Sequence, residues 1–285
     1  MASSSPSDYP SIYLIGSFHG FRDEIIRRLP QFSFADPRKH RQSSAAKMVI
    51  DDLTEAATNQ LSLAVFPKGK SYGVMSFSEI GVAYKHGNHL IIIDGNQQEP
   101  ILKELADETF TTLDDALNYL NNKKSFSTHR RERPLIYPPE RKEPLELRNV
   151  LVTGTFNKNL EQALHEAQRR RPELSIDLTT PDKAFSQFKD LHNYDFLVAY
   201  FPREDDWNRT ACLFMGGAYA HDLPILILDE HDWKYPPLQA IARRQGSLKG
   251  LADYLSEVDD QLIGKEAVNM YSFFQREKNS YNKKK

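Results

Sequence analysis

Short apolar runs alternate with longer amphipathic stretches along most of the chain. The unbroken apolar runs predict strands at residues 12–15, 32–35, 61–66, 90–93 and 108–110. Apolar residues at helical spacing between them predict helices at 22–29, 44–58, 76–86 and 113–120. The same alternation returns with strands at 150–153, 175–178, 196–201, 225–228 and 240–243, again with helices between. Strands that are apolar throughout need cover on both faces, which implies a parallel sheet between two layers of helices. Right-handed crossovers then give a doubly wound, flavodoxin-like α/β domain, here twice in tandem.

The two halves share residues as well as rhythm. Gly16-Ser17-Phe18 returns as Gly154-Thr155-Phe156, and Asp52-Leu53 as Asp190-Leu191, both 138 residues on. After a three-residue deletion the offset is 135. It then relates Phe66-Pro67 to Phe201-Pro202, Gly81-Val82-Ala83-Tyr84 to Gly216-Gly217-Ala218-Tyr219, His86 to His221, Asp94 to Asp229 and Tyr119-Leu120 to Tyr254-Leu255. An ordered series with one indel indicates duplication. The expected domains are residues 11–121 and 149–262. Between them lies a Pro- and charge-rich connector at 122–148, and a helix with a basic tail follows at 263–285.

Composition narrows the possibilities. The 285 residues carry 37 Lys and Arg against 39 Asp and Glu, a net charge of −2, which gives no reason to expect nucleic acid as a partner. One cysteine, Cys212, excludes an internal disulfide framework and a multi-cysteine zinc site, and its surroundings suggest a core residue. No apolar run approaches the roughly 20 residues of a membrane span. The first ten residues are polar, with no signal-peptide core. The expectation is a cytoplasmic protein with no membrane partner.

Ligands in such folds sit at the carboxyl ends of the strands. Three stretches there could carry chemistry. Gly16-Ser17-Phe18-His19-Gly20-Phe21-Arg22 leaves the first strand for the first helix. It reads either as an anion-binding turn, with Ser17, His19 and Arg22 as donors, or as an ordinary capped turn. Glu79 follows the polar, flexible-looking segment 68–73 and falls in the first turns of a helix. It reads either as an ionised nucleophile or metal ligand or as a helix-start acid. Asp52, in the helix before the third strand, reads as an acid or base at the same mouth or as surface charge. No His or Cys cluster has metal-ligand spacing, the Walker phosphate-loop pattern is absent, and no cofactor is expected.

Taken in order, Ile12-Tyr13-Leu14-Ile15-Gly16, Asp52-Leu53, the run at 61–66 and Glu79-Ile80-Gly81-Val82-Ala83 resemble the nucleoside 2-deoxyribosyltransferase superfamily. The resemblance spans residues 11–120, with a weaker echo over 149–255. It implies cleavage of the N-glycosidic bond of a 2′-deoxynucleoside. Glu79 would attack C1′ to form a covalent glycosyl-enzyme, Tyr13 would orient it, and Asp52 would serve the sugar or base site. The Gly16 turn, with Ser71 and Gly73, is similar to the phosphate-holding elements of the 2′-deoxynucleoside 5′-phosphate N-hydrolases. That similarity implies Gly16, Ser17, His19, Gly20, Arg22, Ser71 and Gly73 as phosphate-binding residues. His19 stands where that branch has Arg, and Gly73 stands where the transferases carry a base-contacting Asp, so hydrolysis is expected over base exchange. The family's dimers imply a homodimer or a pseudo-dimer of the two copies, with a nucleoside or nucleotide as small-molecule partner. At offset 135 Glu79 becomes Phe214, and at 138 Tyr13 becomes Leu151, so the second copy is expected to lack this chemistry. Two other classes stand beside this one. They are an NAD-cleaving glycosidase, to which the same carboxylate logic applies, and a nucleotide-sensing module without turnover.

Overall fold

A computed structural model of the chain describes residues 9–16, 21–39, 45–123, 125–127, 147–204, 208–231, 236–242 and 244–257. The chain divides into two compact units, Met1–Arg41 with Asp51–Leu135 and Gln42–Ile50 with Ile136–Lys285. Each holds one five-stranded sheet. No helix among the described residues is long and apolar enough to cross a membrane.

The first sheet contains β1 (Ser11–Gly16), β2 (Ser33–Ala35), β3 (Leu61–Phe66), β4 (His89–Asp94) and β5 (Glu108–Phe110) in the order β2-β1-β3-β4-β5. Every pairing is parallel. This is the flavodoxin-like order, in which the chain reverses direction across the sheet between β1 and β3. The intervening helices are α1 (Phe21–Arg28), α2 (Ala45–Thr58), α3 (Val74–Lys85), α4 (Pro100–Leu105) and α5 (Leu113–Asn122). Every residue of β3 and β4 is buried, as strands covered on both faces must be. Ile12 and Leu14 of β1 pack with Phe21, Ile25, Ala116 and Leu117 from the helices on one face. Alternation turns Tyr13 to the other face, where α3 lies against β1, β3 and β4. The α3 sequence is apolar nearly all round, and the helix is correspondingly buried along most of its length.

The second sheet contains β6 (Asn149–Gly154), β7 (Ser175–Leu178), β8 (Phe196–Phe201), β9 (Ile225–Asp229) and β10 (Arg244–Gly246) in the order β10-β9-β8-β6-β7, the same topology. Its helices are α6 (Lys158–Arg170), α7 (Ala184–Lys189), α8 (Arg209–Ala220), α9 (Pro236–Ile241) and α10 (Leu248–Glu257). Both copies therefore fold as expected, with one misplaced strand. The run at 240–243 is not a strand. Ala240 and Ile241 close α9, and the edge strand β10 begins at Arg244. Pro236 and Pro237 open that helix, where a missing N–H costs nothing, and Leu238 and Ile241, three residues apart, are buried on its inward face. The helix α4 also escaped the apolar pattern, being six residues long and started by Pro100. The start of the connector packs in place. The Phe126 ring meets Phe32 and His89 edge-on, and the Ser127 carbonyl lies 3.2 Å from His89 Nδ1. Residues 124 and 128–146 of the connector and the expected C-terminal helix lie outside the described residues.

The turn after β1 depends on its glycine. Gly16 has φ +122°, and a Cβ there would stand 2.5 Å from the Val65 carbonyl oxygen. Gly154 repeats the conformation with φ +123°. Gly16→Ala is expected to destabilise the first unit by more than about 1 kcal/mol, because strain and a backbone collision add. The measurement is the thermal transition of the variant against wild type.

Candidate functional site

Four elements bring four ionisable side chains together against the first sheet. Tyr13 comes from β1, Asp52 from α2 and Glu79 from the second turn of α3. Arg22, the second residue of α1, approaches from the end of β1. All four are at most 6% exposed. The Tyr13 hydroxyl is completely buried and faces the Glu79 carboxyl, without a hydrogen bond of ordinary geometry.

The electrostatics follow from that burial. Loss of water pushes the Glu79 carboxyl well above the usual carboxylate range, and the neighbouring Asp52 charge pushes it further. The Arg22 charge and the Tyr13 hydroxyl pull it back only in part. Burial likewise raises Tyr13 well above an ordinary phenol, and Glu79 and Asp52 add to the shift. Tyr13 therefore stays a neutral donor. These directions correct the expectation that the helix start keeps Glu79 ionised. Glu79 is the sixth residue of α3, past the first-turn N–H groups, and desolvation dominates.

Arg22 does not face solvent. Its Nη1 donates to the Leu14 carbonyl at 2.8 Å and to Asp36 Oδ1 at 3.2 Å, and its Nη2 donates to the Gly16 carbonyl at 2.6 Å. Asp36 also accepts from Arg38 through the backbone N–H, Nε and Nη2. Burial alone would raise the Asp36 carboxyl, but Arg38 and Arg22 outweigh it and hold the group ionised below its ordinary range.

The segment before α3 is tied down rather than loose. Tyr72 is buried and donates to Asp94 Oδ1 at 2.6 Å; burial first, and then that bond, push its hydroxyl up to about 12. Asp94 Oδ1 also accepts from the backbone of Asn96 and Gln97. Asn96 reaches across to accept from Gly69 N and to donate to the Lys70 carbonyl. The loops after β3 and β4 are thus stapled to each other. Tyr72 also packs on Phe66 and Phe77, which fixes the start of α3 and so the position of Glu79.

The expected site residues divide accordingly. Tyr13, Asp52, Glu79 and Arg22 meet. Gly16 forms the strained turn at the rim, Gly73 is the extended residue immediately before α3, and Ser71 is exposed in the loop ahead of it. Ser17, His19 and Gly20 lie outside the described residues. Asp36, Arg38, Tyr72 and Asp94 belong to the site's support; all four lie in the segments after strands where ligands are expected (36–40, 66–76 and 94–96), but the sequence assigned none of them a role. Among the described residues no group of three or more His, Cys, Asp or Glu could hold a metal ion.

The second unit serves as an internal control. Leu151 occupies the Tyr13 position and Phe214 the Glu79 position, both fully buried, and Phe214 packs edge-on to Phe188 at 5.3 Å. Asp190, in the Asp52 position, is exposed at the end of α7. Leu178 takes the Asp36 position, one residue past the partner of Leu151. Cys212 is fully buried, and desolvation holds its thiol protonated. The same topology is therefore built without the charged cluster. Compared with known proteins, the chain matches no family model and no curated protein.

A buried carboxyl with a raised pKa makes a stability prediction with a definite sign. Below the unfolded value near 4.5 both states hold the proton and nothing is lost. As pH rises the unfolded chain ionises while folded Glu79 resists, so the wild type loses about 1.4 kcal/mol for each unit of upward shift. Glu79→Gln is expected to raise the unfolding temperature at pH 7–8, with the gain vanishing below about pH 4.5. Thermal scans of both proteins across that range check it.

Proposed function

We propose that the first unit cleaves the N-glycosidic bond of a 2′-deoxynucleoside or its 5′-monophosphate, with Glu79 as nucleophile and hydrolysis as the outcome. The observation that carries this reading is the buried Glu79–Asp52 pair beside Tyr13, set between the sheet and the helices that cover it and replaced by Phe214 and an exposed Asp190 in the duplicate. Buried charge is costly, and a fold that manages without it in one copy keeps it in the other for chemistry.

Two carboxyls buried together resist a second negative charge, so a charged Asp52 keeps the proton on Glu79, and the reactive state has that proton moved to Asp52. That state meets both needs of the reaction. The ionised Glu79 carboxylate attacks C1′ as positive charge develops on the sugar, forming the C1′–O bond while the C1′–N bond breaks. The proton held by Asp52 passes to the departing base nitrogen. Water then attacks C1′ and releases Glu79, and its proton returns to Asp52. Tyr13, which stays neutral, donates to the carboxylate and fixes its orientation.

Each deoxynucleoside, each 5′-monophosphate and NAD is incubated separately with the protein, and free base is followed by chromatography. Base release is expected from a deoxynucleoside or its monophosphate. Glu79→Ala should lower it about 10³-fold or more, and Asp52→Asn about 10²–10⁴-fold. Undiminished release by Glu79→Ala would defeat the proposal, and nicotinamide release alone would select an NAD glycosidase. The acid limb of kcat/KM is expected above the ordinary carboxylate range, because Glu79 must lose its proton to attack. A limb near pH 4 would remove Glu79 from that role.

A further inference from the structure

We infer that Arg22 is a positioning residue rather than a ligand of substrate phosphate. Its guanidinium clamps the end of β1 behind Tyr13 and sets a fixed positive charge beside the buried carboxyl of Glu79. The inference rests on Glu79 being the reacting group.

Three observations lead there. First, Arg22 is 1% exposed, and its fork is directed inward at the Leu14 and Gly16 carbonyls and at Asp36. An anion arriving from solvent would have to break those bonds to reach it. The bonds fall on either side of the residues that end β1, so they fix the strand that carries Tyr13. Second, the ion pair with Asp36 does not explain the burial of Arg22. Arg38 already gives Asp36 a two-pronged side-chain contact and a backbone N–H, with Nη2–Oδ2 at 2.6 Å and Nε–Oδ2 at 2.9 Å. Asp36 would keep those partners without Arg22. Third, among the described residues the side chains whose charge or hydroxyl acts on Glu79 are Asp52 from α2, Tyr13 from β1 and Arg22 from α1. Asp36 and Arg38 stand behind Arg22. Arg22 is the cation of that set, opposing the proton that burial and Asp52 would otherwise hold on Glu79. In the duplicate, where Phe214 needs no such support, the Asp36 position is Leu178.

An arginine replaced by lysine keeps the charge and loses the fork, and replaced by methionine it loses both. The Glu79 carboxyl is followed by ¹³C NMR in protein labelled at glutamate, its signal assigned by its absence in Glu79→Gln. In Arg22→Met the Glu79 midpoint is expected to rise by about one pH unit or more, and in Arg22→Lys to stay within about half a unit of wild type. An unmoved midpoint in Arg22→Met overturns the proposal. Kinetics give the second arm. Arg22→Lys is expected to lower kcat about tenfold or more while KM for the preferred substrate holds, because the clamp on Tyr13 is lost and no substrate contact is. A raised KM confined to 5′-phosphorylated substrates, with kcat kept, overturns it in favour of a phosphate ligand. Should Arg22→Met fail to fold, the lysine variant decides by both readouts. Absence of base release from the wild type would sink the glycosidase reading alone, since the NMR titration needs no substrate.

Discussion

A parallel sheet covered on both faces has an apolar interior, and the fold must find room there for two carboxyls, a phenol and a guanidinium. Taking an ion out of water costs several kcal/mol even after relaxation, and attraction between partners returns only part of it. The first unit meets this cost in layers. Arg38 holds Asp36, Asp36 helps to hold Arg22, and Arg22 offsets the burial of charge on Glu79. The outer member of the series is partly exposed and the inner members are not, so charge is handed inward from water by steps. The end of β1, the Gly16 turn and the orientation of Tyr13 all depend on that series.

The duplicate separates what the fold needs from what the cluster adds. Both copies keep the left-handed glycine after the first strand and an aspartate at the end of the fourth. Asp94 accepts from the Asn96 and Gln97 backbone, and Asp229 accepts from the His231 backbone and side chain. These shared residues close turns at the carboxyl edge and would be kept by packing alone. What differs lies one layer down, between sheet and helix. The Tyr13, Asp36 and Glu79 positions become Leu151, Leu178 and Phe214. Leu151 and Phe214 convert the pocket to ordinary core, sealed by Phe188 and Leu191 packed close against Gly217.

The fold was legible because its signals are local. Apolar runs with helical spacing between them marked nine of ten strands, and the repeat confirmed the pairing of elements. The misplaced strand shows the limit of such signals. Ala240 and Ile241 are apolar in a helix as well as in a strand, and only the prolines ahead of them favour the helix. Within the site, Tyr13, Asp52 and Glu79 could be named because each falls in a recognisable motif. The role of Arg22 could not be read, since its partner Asp36 is fourteen residues away and the carbonyls it clamps have no sequence signature. The stapled loop was misread for the same reason. Lys68-Gly69-Lys70-Ser71-Tyr72-Gly73 reads as flexible, yet Asn96 holds Gly69 and Lys70 and Asp94 holds Tyr72, both from a different strand end.

The Tyr13 hydroxyl completes the electrostatic picture. It is buried without a bond of ordinary geometry, and a buried hydroxyl left so costs on the order of 1–3 kcal/mol. Tyr13 cannot relieve this by ionising, because burial and the two carboxyls hold its proton firmly. A full negative charge on Glu79 relieves it, since a charged acceptor strengthens the bond that the hydroxyl can donate. The orphaned donor therefore favours the ionised form of Glu79, as Arg22 does from the other side. Burial and Asp52 favour the neutral form. A carboxyl kept protonated by burial and Asp52 against Arg22 and Tyr13 gives up its proton more readily as positive charge develops beside it, which is the sign of change that the proposed glycosidic cleavage would supply.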